Sequence, residues 1–270
     1  MPDGYETPIE KGSRLRCLKI TQGTRAEVAE RLTALIASYG TVSENDIWMP
    51  NGFTNINEAE LDKNDLFDNK NLLCKALNEW WFSKESQGKK YRSPNWDIAS
   101  SCTINNKKGL LLVEAKAHLT ELKDAQAGKS DKNLSEKGKL NHDNIGSCID
   151  EANENFSSKA FLSWHISRDS NYQISNRFAW SWKILDLEHP VILIYLGFLN
   201  ATEMESNGKI FNDHKSWEDQ FIDENNKISK IIPASVWNQK MIISNQNFIP
   251  ILRSVEIPFE GPIKDFKVNK

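Results

Sequence analysis

The apolar pattern changes period along the chain, and each period predicts an element. Val191–Leu199 is an unbroken apolar and β-branched run, the pattern of a buried strand. Leu110–Ala115 is nearly continuous, as expected for a strand covered on both faces. Just before it, Trp96–Ile104 alternates. Trp96, Ile98, Cys102 and Ile104 fall on one side; Asp97, Ala99, Ser101 and Thr103 fall on the other. Asn105-Asn106-Lys107-Lys108-Gly109 separates the two runs as a turn, so they form a hairpin. A symmetric loop gives cross-strand partners an index sum of about 214. That sum sets Asp97 within a residue or so of Lys116.

Helical spacing alternates with these runs. Thr24-Arg25-Ala26-Glu27 has capping-box form and opens a helix to about Tyr39, with Val28, Leu32, Leu35 and Ile36 on one face. A second helix is expected from Asn71 to Ser86, with Leu72, Leu73, Ala76, Leu77, Trp80 and Trp81 as its apolar face. Glu79 projects from that same face, where a carboxylate must be paired, ligated or at the edge of burial. Further helices are expected at Asn144–Phe156, at Ser216–Asn225 and after Ser170. In the last of these a capping box, Ser170-Asn171-Tyr172-Gln173, precedes core positions Ile174, Phe178, Trp182 and Leu185. Arg14–Thr21 reads as a short strand, Glu58–Leu61 as a short helix capped by Asn57, and Leu119–Asn141 as a polar lid loop. Val236–Ser244 and Phe248–Ile257 are weaker strand candidates. Gly128-Lys129-Ser130 resembles the end of a phosphate loop, but Lys123 stands where that loop needs glycine, and no strand leads in.

Composition narrows the class without naming it. The chain has 270 residues, enough for one large domain spanning residues 1–270, and 39% hydrophobic with 26% charged residues is ordinary for a globular protein. Val191–Leu199 is too short to cross a bilayer, so no membrane partner is expected. Residues Met1–Lys11 carry both charge signs and no apolar run, unlike a signal peptide. Cys17, Cys74, Cys102 and Cys148 are scattered, which suits buried free thiols in the cytoplasm better than zinc or disulfides. The net charge is −3, yet Lys84–Lys139 holds 12 basic and 7 acidic residues, an excess of +5 that leaves −8 for the rest. A local positive field of that kind suits a nucleic-acid partner.

The chemistry concentrates in the hairpin. Glu114 and Lys116 share a face of one strand, and the turn carries Asp97 towards them. Two carboxylates on a rigid sheet suit a hard divalent ion such as Mg²⁺ or Mn²⁺. A neighbouring lysine can orient water or offset developing negative charge. Other acid-x-Lys triplets, such as Glu121-Leu122-Lys123, lack a preceding apolar strand.

Pro94-Asn95-Trp96-Asp97 followed by Glu114-Ala115-Lys116 resembles the motif of the PD-(D/E)xK nuclease superfamily. Two residues stand between Pro94 and Asp97, so the literal Pro-Asp pair is absent. The resemblance covers about residues 70–200 and implies an α/β, restriction-endonuclease-like fold with a central mixed β-sheet flanked by helices. It implies a metal-dependent nuclease acting on nucleic acid, with DNA the first choice and homodimerisation left open. Asp97 and Glu114 would then bind Mg²⁺ or Mn²⁺, and Lys116 would position water. Glu79 matches the additional acid that members often carry on the first core helix. Gln173 matches the glutamine of their Gln-x-x-x-Tyr element, with Arg177 in place of tyrosine. His118 is a further polar residue past Lys116. The alternative is a catalytically inactive domain of the same fold that binds nucleic acid or protein.

Overall fold

The structure, a computed structural model, describes residues 11–67, 71–84, 92–132, 134–160 and 162–270. Several sequence readings fall outside them: residues 1–10, the Asp68-Asn69-Lys70 triplet, the last two residues of the helix expected to end at Ser86, and most of the basic stretch before Arg92. The strands are β1 (Trp48–Met49), β2 (Ala59–Glu60), β3 (Asn95–Trp96), β4 (Ile98–Ile104), β5 (Lys107–Lys116), β6 (Val191–Leu199), β7 (Met241–Ile243), β8 (Gln246–Glu256) and β9 (Val268–Asn269). The α-helices are α1 (Gly12–Ile20), α2 (Arg25–Ile36), α3 (Leu72–Trp81), α4 (Leu119–Asp124), α5 (Glu136–Ala160), α6 (Tyr172–Asp186) and α7 (His214–Ile222).

The main sheet is mixed and runs β1-β4-β5-β6-β8-β7, with β9 also pairing with β8; β2 and β3 form a separate small ribbon. β4 and β5 are antiparallel, whereas β5–β6 and β6–β8 are parallel. All nine residues of β6 are buried, as its unbroken apolar pattern requires. Each such aliphatic side chain contributes roughly 1.5–3 kcal/mol on burial. Helices cover both faces. α1 and α2 pack an aliphatic layer against Ile98, Leu111, Val113, Ile192, Ile194 and Ile251. α3, α5, α6 and α7 close the opposite face, which is rich in aromatic rings. Among the described residues, no helix is long and apolar enough to cross a membrane.

Several expectations are corrected. The strand expected at Arg14–Thr21 is instead α1, Gly12–Ile20. The alternation there comes from a helix buried almost all round, in which even Arg16 is enclosed and bonded to Glu203. Residues 59–60 form β2, not a helix, because they pair with β3. The expected lid is largely helical: α4 and the start of α5 occupy much of Leu119–Asn141. Trp96 joins the aromatic layer with Ala99, not the aliphatic layer with Ile98, because Asp97 is a bend that breaks the pleat between β3 and β4.

Other expectations hold in kind. The capping box of Thr24 and Glu27 opens α2. α6 begins where expected, but Asn171 enters it in the left-handed conformation, with no side-chain cap. All four cysteines are buried free thiols.

Candidate active site

The hairpin turn sets the site. Asn105 and Asn106 both have positive φ, 47° and 61°, so the turn has two residues and not five. The tight turn moves the register. Ile98 faces Val113 and Ile104 faces Lys107, a constant sum of 211. Asp97 therefore stands opposite Glu114, three positions short of the expected partner. Its Oδ2 accepts a hydrogen bond of 2.7 Å from the Ala115 N–H, which joins the bend to β5.

Glu114 and Lys116 lie on the aromatic side of β5 and are nearly enclosed, at 1% and 7% exposure. Lys116 Nζ donates to Glu114 Oε1. Arg177 of α6 donates through Nε to Glu114 Oε2 at 2.6 Å and through Nη2 to the Asn95 carbonyl at 2.6 Å. Its guanidinium sits 4.7 Å from the Trp96 ring centroid. Buried charges persist only when paired. Here one carboxylate is shared by two cations, and Arg177 is tied to the Asn95 carbonyl as well.

The electrostatics separate the two acids. Burial pushes Glu114 up, but the Arg177 and Lys116 charges outweigh it and hold its carboxyl below the usual range. Burial, then the Glu114 charge, raise Asp97 from 3.8 to about 7 despite Lys116 nearby. Burial lowers Lys116, but Glu114 and Asp97 more than restore it. Glu114 is thus a fixed anion, while Asp97 keeps its proton up to about pH 7.

These groups line a pocket of about 620 Å³ at the end of β5. Gln173 is brought to it from the first turn of α6, beside Tyr172, Asn176 and Arg177. Glu79 is not. It is 56% exposed on α3 and sits 3.8 Å from Lys75. Leu72, expected on the same apolar face, is itself 68% exposed. Beside Glu79, the half-buried Asn78 donates to Asp62 at 3.2 Å, and Asp62 in turn accepts from Ser93. His118 is buried and does not line the pocket; its Nε2 is 3.8 Å from Glu121.

Sequence reasoning missed other lining groups: Glu58, Glu121, Asp124, Lys129 and Arg92. Glu121 belonged to a triplet set aside for lacking a strand. Its Oε2 accepts from the Ala117 N–H at 2.6 Å, just past Lys116. Sequence spacing carried no signal for Glu58, which reaches the pocket through the ribbon of β2 and β3.

Among the described residues no group of three or more His, Cys, Asp or Glu side chains is placed to hold a metal ion. A pair of carboxylates is enough for Mg²⁺, which commonly takes one or two and keeps several waters. Asp97 and Glu114 supply oxygen donors of the right hardness, and among the described residues Asp97 Oδ1 accepts no hydrogen bond. The donor types suit a hard divalent cation, which would have to share Glu114 with Lys116 and Arg177. No protein-family model, curated protein or solved structure matches this chain.

Proposed function

We propose that the chain is a metal-dependent nuclease of the PD-(D/E)xK type, hydrolysing phosphodiester bonds, with DNA as its substrate. The reading rests on one observation above all: Asp97, at the bend that leads into β4, is bonded to β5 beside Glu114, with Lys116 bonded to Glu114 in the same pocket. A Mg²⁺ or Mn²⁺ ion held by Asp97 and Glu114 would activate water and stabilise charge on a phosphoryl oxygen. Lys116 positions the attacking water and offsets developing negative charge. Arg177 holds Glu114 in place by a side-on hydrogen bond, and Gln173 contacts substrate from α6. The restriction-endonuclease-like assignment of the mixed sheet belongs to the same proposal.

The experiment is hydrolysis of single- and double-stranded DNA and RNA with Mg²⁺ or Mn²⁺, comparing wild type with Glu114→Gln. Metal-dependent cleavage by wild type and none by the variant is expected. Wild-type protein inert on all four substrates would overturn the reading.

A second reading has its own observation. Both Glu114 oxygens already hold cations, Lys116 and Arg177. That arrangement also suits a catalytically inactive domain in which Lys116 serves in place of a metal, and which binds nucleic acid or protein. Calorimetry decides: a Mn²⁺ heat lost in Asp97→Asn supports the nuclease, and DNA binding without any metal heat supports the inactive domain.

A further inference from the structure

The Gly128-Lys129-Ser130 stretch is not a nucleotide-binding loop, yet the fold gives it a fixed place. Residues 126–129 lie against the entry to α6. The Lys129 N–H donates to the Arg168 carbonyl at 2.9 Å, and the Asn171 and Tyr172 N–H groups donate to Gln126 and Ala127 at 2.9 Å. A Cβ at Gly128 would sit 2.2 Å from the Asp169 carbonyl oxygen, so only glycine allows this approach. The stretch is therefore held firmly, and Lys129 lines the same pocket as Asp97 and Glu114.

Lys129 differs from the other inner cations. Lys116 and Arg177 are both spent on Glu114. Among the described residues, Lys129 has no carboxylate partner; its Nζ lies 4.7 Å from the Tyr172 ring centroid. Burial lowers its pKa with no counter-charge to restore it. Arg92 also lines the pocket and makes no ion pair among the described residues. A phosphate brought to an acidic centre needs positive charge on its other side.

We propose that Lys129, with Arg92, forms a phosphate-binding subsite of this pocket that takes a backbone phosphate of a nucleic-acid strand. The inference rests on the nuclease reading for its substrate class. Tyr172 supports the Lys129 stem and holds the cation over its ring. Gly128 fixes the distance from α6. The anion replaces the missing counter-charge, and the acids in the pocket are left to the metal.

The test is binding, not cleavage. A fluorescein-labelled single-stranded 12-mer is titrated in EDTA at several salt concentrations against wild type, Lys129→Met and Lys129→Arg. Lys129→Met should weaken binding about tenfold at low salt. It should also reduce the slope of log K against log salt by about 0.7, one phosphate contact on a single strand. Lys129→Arg should keep most of the slope, which a purely structural loss would not. An unchanged slope in Lys129→Met, or no wild-type binding, overturns the subsite. A second arm compares the same 12-mer with and without a 5′-phosphate. A Lys129-dependent preference for the phosphorylated end overturns the backbone assignment in favour of a terminal phosphate. Normal binding with no hydrolysis by wild type would sink the nuclease reading alone, and hydrolysis unaffected by Lys129→Met in rate and KM would sink the subsite alone.

Discussion

The two faces of the sheet are built from different materials, and β5 shows the change within one strand. Its odd positions, Leu111, Val113 and Ala115, enter the aliphatic layer under α1 and α2. Its even positions begin the same way, with Leu110 and Leu112, and then turn to Glu114 and Lys116. The side chains around Leu111, Val113 and Ala115 are aliphatic, and the buried Arg16 on that side is held by Glu203 and the Ile257 carbonyl, away from β5. The other face has Trp96 beneath Arg177 and a helix that delivers the guanidinium. A charged site can enter a core only where the neighbours supply partners. It was therefore added to one register of one strand, and the opposite register kept the sheet together.

The strongest way to break this comparison is to remove the acid that the two cations share. Glu114→Gln should lower metal-dependent cleavage by at least about a thousandfold, as loss of an interaction made at the reacting centre does. Glu114→Ala should do the same and also unfold more easily, by about 3–5 kcal/mol in urea, because it leaves Lys116 and Arg177 buried without their anion. A Glu114→Ala protein as stable as wild type would mean that the cations find other partners. On the aliphatic face, Leu111→Ala should cost a comparable 2–5 kcal/mol by opening a cavity. Its Mn²⁺ affinity should be unchanged. A loss of Mn²⁺ binding there would show that the two registers are not independent.

Asp97 gives a smaller, pH-dependent effect whose sign is fixed by its environment. Its carboxyl is raised from 3.8 to about 7 by burial and by Glu114. Across that window the folded protein keeps a proton that the unfolded chain has released. Stability from this group is full below about pH 4 and is lost as pH rises through 7. Asp97→Asn removes the loss while leaving an acceptor for the Ala115 N–H. The variant should gain roughly 1–3 kcal/mol more over wild type at pH 8 than at pH 5. Glu114, whose carboxyl is lowered, loses its contribution only as pH falls below the ordinary carboxylate range, so it does not obscure that interval. Added Mg²⁺ should stabilise wild type at pH 8 and leave Asp97→Asn unmoved. An equal gain at both pH values would place the cost in packing and not in charge.

Sequence pattern reached different depths in different places. β6 was legible to the residue because both its faces are covered, so no alternation competes with the apolar run. The hairpin was legible as a pairing, but its register was three positions out. The positive φ of Asn105 and Asn106 shortened a turn whose flanking lysines looked like loop. Asp97, Glu114, Lys116 and Gln173 were legible as candidates, and they share one pocket because they sit on or beside regular elements. Glu58, Lys129 and Arg92 were not, because they arrive from the β2–β3 ribbon and irregular segments with no period to read. α1 was misread because a helix enclosed almost all round, with Arg16 buried against Glu203, leaves no clear polar stripe.

The mildest prediction concerns Glu79, and it tests the comparison from outside. Helical geometry alone placed this acid on the apolar face of α3, where a role in the metal site would have followed. The helix is rotated so that Leu73, Leu77 and Trp81 point inward, while Leu72 and Glu79 face outward. Glu79 sits i+4 from Lys75, the spacing of a surface pair, with both side chains more than half exposed. Such pairs contribute about 0.3–0.5 kcal/mol. Glu79→Ala should therefore shift the urea midpoint by no more than that and leave Mn²⁺ affinity and cleavage unchanged. A tenfold loss of Mn²⁺ affinity would bring α3 into the metal site after all. It would also mean that charge is admitted to the aromatic face by a second helix, and not through the register of β5 and its α6 clamp.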